Sequence, residues 1–124
     1  MRALIVDDSR AMRTILGKMV ASLGFEVTTA IHGKDALAQL AAGARPDLML
    51  VDWNMPEMNG FELLQSVRSD AAYASSKIIM VTTETEVQRI AAALAAGANE
   101  YIMKPFTPEV IKEKLCLLGL ASGD

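Results

Sequence analysis

Asp7-Asp8, Asp52, Thr82-Thr83 and Lys104-Pro105 are the residues of this chain whose types and placement could do chemistry. Each group directly follows a short apolar run: Ala3 to Val6, Leu48 to Val51, Ile78 to Val81 and Tyr101 to Met103. If those runs are strands of one sheet, three carboxylates, two hydroxyls and an ammonium meet at one edge. Carboxylates held close in a partly desolvated cleft repel one another, and a cation or protonation must relieve that cost. A hard divalent ion with oxygen ligands does so, and Mg²⁺ needs only one or two carboxylates, water and substrate oxygens completing its octahedron. The set suits phosphoryl chemistry, in which a carboxylate acts as nucleophile and becomes an aspartyl phosphate. Metal, hydroxyl and ammonium would then stabilise charge on the transferred oxygens. It would equally suit a structural acidic cluster that binds Mg²⁺ or Ca²⁺ passively. Taken singly, an Asp at a strand end is often only a helix N-cap, a role open here to Asp8 or Ser9.

Bringing these groups together requires strands separated by helices, and the hydrophobic periods supply both. A fifth apolar run, Phe25 to Ala30, joins the four already named. Between the runs, apolar residues recur at spacings of three and four: Met12, Ile15, Leu16, Met19 and Leu23, then Leu37, Leu40 and Ala41, then Leu64 and Val67, then Val87, Ile90, Ala91 and Leu94. Ile111, Leu115 and Leu118 repeat the pattern after the last run, and such spacing marks helices with one buried face. Gly24, Gly43 and Gly97 each follow a helical stretch, where a left-handed residue ends it. Thr83 with Glu86 reads as a capping box, and Thr107-Pro108 as an N-cap followed by proline in the first turn. Five strands alternating with five helices predict an α/β fold, a doubly wound (βα)5 sandwich whose parallel sheet is covered on both faces. Leu48-Met49-Leu50-Val51 is apolar without alternation, as a strand buried on both sides should be. Ligands of such sheets bind beyond the carboxyl ends of the strands, where strand order reverses.

The 124 residues, 52% of them hydrophobic, predict one domain spanning residues 1–124 and exclude a disordered chain. Cys116, the single cysteine, allows no intramolecular disulfide. The longest apolar stretch, residues 90–98, falls far short of the roughly 18 residues a membrane span needs, so a soluble, cytoplasmic protein is expected. Net charge is −3, from 12 basic and 15 acidic residues shared evenly between the two halves. No basic patch suggests nucleic acid as a partner.

Four segments, VDDSRAMR, VDWNMPEMNG, VTTE and AGANEYIMKPF, appear in an order that resembles the receiver domains of bacterial two-component response regulators. The similarity runs over essentially the whole chain and is greatest to the CheY-like, single-domain chemotaxis regulators. It implies the flavodoxin-like sheet order 2-1-3-4-5. It also implies that Asp52 is the phosphoacceptor, with Asp7 and Asp8 as its acidic pair. Asp8 and Asp52 would hold Mg²⁺ through their carboxylates, Asn54 through its backbone carbonyl and Asp7 largely through water. Thr82 matches the hydroxyl that bonds the phosphoryl group and draws its loop inward, and Tyr101 the aromatic that rotates inward with it. Lys104 would contact a phosphoryl oxygen, and its bond to Pro105 is expected to be cis, an isomer that proline makes accessible. Asn54 and Glu84 occupy positions that in this family tune the lifetime of the acyl phosphate.

The expected protein is therefore no enzyme beyond its own phosphorylation and dephosphorylation. It would be a monomeric switch loaded by a sensor histidine kinase, and its surface formed by the fourth helix, fifth strand and fifth helix would bind a partner protein. With the chain ending a few residues after Leu118, no attached output domain is expected. The partner would be a flagellar motor switch protein or a phosphotransfer protein of a relay, although a receiver cut from a larger regulator would look the same. A haloacid-dehalogenase-like phosphatase also uses a strand-end aspartate, but it needs a second acid two residues on as proton donor, and here that residue is Asn54. A flavodoxin-like electron carrier would need a phosphate loop where this chain has Asp7-Asp8-Ser9-Arg10, and a silent receiver would lack the acceptor, acids, Thr and Lys found here. Among neighbouring residues, Trp53 is expected to be partly exposed and His32-Gly33 to be a turn. Cys116 is expected to be packed rather than reactive.

Overall fold

The computed structural model describes residues 1–83 and 87–121, with only the backbone of Val87. Five strands, β1 (Arg2–Val6), β2 (Glu26–Ala30), β3 (Leu48–Asp52), β4 (Lys77–Thr82) and β5 (Glu100–Met103), alternate with helices α1 (Arg10–Ala21), α2 (Gly33–Ala41), α3 (Gly60–Arg68), α4 (Val87–Ala95) and α5 (Pro108–Leu117). All strand pairs are parallel, and the order is β2-β1-β3-β4-β5. Each element of the periodic reading is present, with ends moved by a residue or so.

Alternating strand residues feed two cores. Leu4, Val6, Met49, Val51, Ile78 and Met80 pack with α2, α3 and α4 on one face. Ala3, Ile5, Leu48, Leu50, Ile79 and Val81 pack with Leu16 and Val20 of α1 and Ile111 and Leu115 of α5 on the other. Every residue of β3 is buried, including its terminal Asp52. Fully burying each of its four apolar side chains, Leu48 to Val51, contributes about 1.5–3 kcal/mol, so this unbroken run fixes β3 at the centre of the sheet.

The helix starts follow short-range polar chemistry. Ser9 Oγ accepts from Met12 N, Asn59 and Glu62 close a reciprocal capping box, and Thr107 Oγ1 accepts from Val110 N ahead of Pro108. His32 differs from the expected turn: its Nδ1 accepts a 3.0 Å bond from Asp35 N, which makes it the N-cap of α2. Of the expected capping box at Thr83 and Glu86, Glu86 lies outside the described residues. Gly24, Gly43 and Gly97 do end their helices with φ of 98°, 112° and 112°.

One element escapes the periodic reading, a 3-10 turn at Ala71–Tyr73. It is held by Arg68, which donates to the carbonyls of Gly97 (2.9 Å), Tyr73 (2.8 Å) and Ser76 (2.7 Å) and to Asn99 Oδ1 (2.8 Å). Burial pushes the guanidinium's pKa down. No helix among the described residues is long and apolar enough to cross a membrane.

Candidate functional site

Because all five strands run the same way, their carboxyl ends share one edge of the sheet. β1 delivers Asp7 and Asp8, and β3 delivers Asp52. Carboxylate oxygens of the three lie within 4.8 Å of one another. Asp7 and Asp52 are buried whereas Asp8 is exposed, so the cluster is open to solvent from the side of Asp8.

Asp7 is fixed by its neighbours. Its Oδ1 accepts from Ser9 N at 2.8 Å, and its main-chain carbonyl accepts from Arg13 Nη1 at 2.8 Å. Its Oδ2 is fully buried and has no hydrogen-bond donor among the described residues. Lys104 Nζ stands 3.7 Å from that oxygen, near enough for charge attraction but too far for a hydrogen bond. The same ammonium donates to Asp52 Oδ1 at 3.0 Å. Lys104 N also donates to Thr82 O at 2.8 Å, which joins the ends of β5 and β4, and the Lys104–Pro105 peptide is cis.

Burial raises the pKa of Asp52, with repulsion from Asp7 and Asp8 adding to it; the bond and charge of Lys104 act against this and only partly offset it. One ammonium thus serves two buried acids beside a third. An uncompensated buried carboxylate oxygen is costly, and a hard cation with oxygen ligands would satisfy it. The donor set therefore fits Mg²⁺.

Asp52 owes its position to a close approach of main chain. Gly60 N donates to Trp53 O at 2.8 Å, and a Cβ built on Gly60 would stand 2.2 Å from Asp52 O and 2.9 Å from Trp53 Cα. Only glycine fits that place. Trp53 corrects the expectation of partial exposure: at 8% exposure it belongs to the core and stacks on Phe61 with centroids 5.6 Å apart. Its indole has a partner in α3, which the loop-like sequence MPEMNG hid.

Thr82 ends β4 and is buried, one position beyond Val81, the register partner of Asp52. Tyr101 is half-buried on β5 in register with Met80 and packs against the core on the α2–α4 side. Asn54 is exposed in the loop after β3. Glu84 lies outside the described residues. Cys116 is partly buried. Two further residues position Asp7: Ser9, which the sequence offers only as a cap, and Arg13, which stands at the end of the VDDSRAMR segment with no role read from it.

Known proteins resemble this chain in sequence and in fold. Residues 3–116 match the response regulator receiver domain family. The chain is 49% identical over 116 residues to chemotaxis protein CheY1 of Helicobacter pylori, covering 93% of this chain and 94% of that protein. It is 47% identical over 126 residues to the CheY homolog of Campylobacter jejuni, covering 100% and 97%. Among solved structures, the chemotaxis protein CheY4 of Vibrio cholerae superposes with a TM-score of 0.86 at 39% identity, over 94% of this chain and 96% of that one. Matched in sequence over residues 3–116 and in strand order throughout, the chain belongs to the response regulator receiver domain family, with CheY chemotaxis proteins among its relatives.

Proposed function

We propose that this protein is a phosphorylation-controlled switch in which Asp52 accepts a phosphoryl group from the phosphohistidine of a sensor kinase. The observation that carries this reading is the buried Asp52 carboxylate, bonded through Oδ1 to Lys104 and grouped with two further carboxylates. An Asp52 oxygen attacks phosphorus, the phosphorus–nitrogen bond of the donor breaks, and the leaving imidazole keeps the bond's electrons and takes up a proton. Asp8, Asp52 and the Asn54 carbonyl would hold Mg²⁺, with Asp7 acting through water, and the ion would supply positive charge against the transferred oxygens.

Lys104 must then exchange its bond to the Asp52 carboxylate for one to a phosphoryl oxygen. Its amide is tied to the Thr82 carbonyl, so cation and hydroxyl are linked through main chain. Thr82 bonding the phosphoryl group and Tyr101 turning inward would bias the surface formed by α4, β5 and α5 between two states. Hydrolysis of the acyl phosphate resets the switch, with Asn54 and Glu84 setting its lifetime. On this reading the protein catalyses only its own phosphorylation and dephosphorylation. The names of its relatives favour chemotaxis as the pathway, with a flagellar motor switch protein as the partner of the loaded form.

Acetyl phosphate added to the protein already saturated with Mg²⁺ is expected to change Trp53 fluorescence further, because the indole directly follows the acceptor, and to add one phosphoryl group by mass. Asp52→Asn should abolish both changes. Uptake of phosphate by that variant would overturn the assignment.

A further inference from the structure

We propose that Lys114 is a positioning residue for Tyr101, a cationic latch that holds the ring from α5 across the open edge of the sheet; this rests on the reading of Tyr101 as the moving aromatic. Tyr101 lies on β5, the last strand of the sheet, and packs toward the α2–α4 side. The next residue, Ile102, packs toward Ile111 and Leu115 of α5 on the opposite face. A helix that covers one face has no ordinary route to a side chain on the other. Lys114 makes that reach: its Nζ stands 5.2 Å from the Tyr101 ring centroid and 3.2 Å from Glu100 Oε1.

The same Glu100 oxygen accepts from Tyr101 N at 3.1 Å. One carboxylate oxygen therefore ties down both the main chain of Tyr101 and the ammonium near its ring. The two charged side chains are only 24% and 21% exposed, which places the contact where a cation on a ring is stronger than at an open surface. A ring that turns away gives up this contact. The latch thus favours the ring position described and opposes rotation, and removing its charge shifts the balance toward the rotated ring. Since binding and conformation are coupled reciprocally, the same change must tighten any ligand that prefers the rotated state.

The test is a titration of beryllofluoride, a noncovalent stand-in for the phosphoryl group, at fixed Mg²⁺, followed by Trp53 fluorescence and by ring spectra of ¹³C-labelled tyrosine. The chain has two tyrosines, so Tyr73 serves as the internal control. Lys114→Met is expected to lower the half-saturating beryllofluoride about fivefold, the equivalent of roughly 1 kcal/mol of cation–π contact. It should also move the Tyr101 signals toward their loaded position before any ligand is added. Lys114→Arg, which keeps a cation near the ring, should restore both. A cation that merely suits the last turn of α5 would change the melting temperature alone. Wild-type half-saturation in folded Lys114→Met overturns the latch, while Tyr101 signals indifferent to saturating beryllofluoride in the wild type overturn the switch reading beneath it. Should Lys114→Met fail to fold, Glu100→Gln loosens the ammonium without removing it. The same direction with a smaller factor supports the latch, and an unchanged titration overturns it.

Discussion

Asp52 carries a stability cost that its proposed role explains. Burial raises its pKa, assisted by Asp7 and Asp8 and opposed by Lys104. Over the pH window above the ordinary carboxylate value, the folded protein then holds more protons than the unfolded chain, so stability falls as pH rises through that window. In metal-free buffer Asp52→Asn should melt higher than the wild type at neutral pH, by about 4 °C for each kcal/mol of strain relieved in a chain of this size. The gain should shrink toward about pH 4, where the wild-type carboxyl approaches its own neutral form. Calorimetry at the two pH values checks this, and a lower melting temperature for the variant would mean that Lys104 more than compensates the buried charge. The acids, Thr82 and Lys104 were legible because each follows an apolar run, which fixes where a strand ends. Ser9 and Arg13 were not, because what they contribute to Asp7 is a main-chain donor and a bond to a main-chain carbonyl, and neither depends on the residue type alone.

The join between β3 and α3 carries the tightest steric constraint near the site. Gly33 and Gly60 both begin helices where a Cβ would meet another atom, but the obstacles differ. At Gly33 the nearest is the flexible Met58 Sδ at 2.8 Å, whereas at Gly60 it is the main-chain oxygen of Asp52 at 2.2 Å. A side chain can move aside and a central strand cannot. Gly60→Ala is expected to cost about 3 kcal/mol or more in denaturant titration and to weaken Mg²⁺ binding, since the strand end must shift. Gly33→Ala should cost clearly less and leave the metal untouched. Helices and strands were readable from period and caps because those signals are local. The 3-10 turn and the Arg68 clamp were not, for the acceptors of Arg68 include three main-chain carbonyls that only the folded chain brings together. Trp53 misled for the same reason, its ring partner Phe61 lying across a turn rich in breakers.

The whole molecule separates its two ends by task. The carboxyl ends of the strands and the loops that follow them hold Asp7, Asp8, Asp52 and Lys104, while the helix-to-strand turns lie at the other end, among them the exposed Gly43 between α2 and β3. A parallel sheet built from successive strand–helix units imposes this separation, which is why the number and order of apolar runs sufficed to place the acids at one edge. Cutting the chain after Gly43 would put Asp7 and Asp8 on one fragment and Asp52 and Lys104 on the other, without touching either group. Neither piece alone should bind Mg²⁺ with the affinity of the intact chain. Mixing them should restore metal-dependent Trp53 fluorescence as β1 regains its pairing with β3, and a metal response from the longer fragment alone would show that the first acids are dispensable. The acidic cluster, shared between two strands distant in sequence, would then act as a coincidence detector, lighting up only where two separately made polypeptides have met.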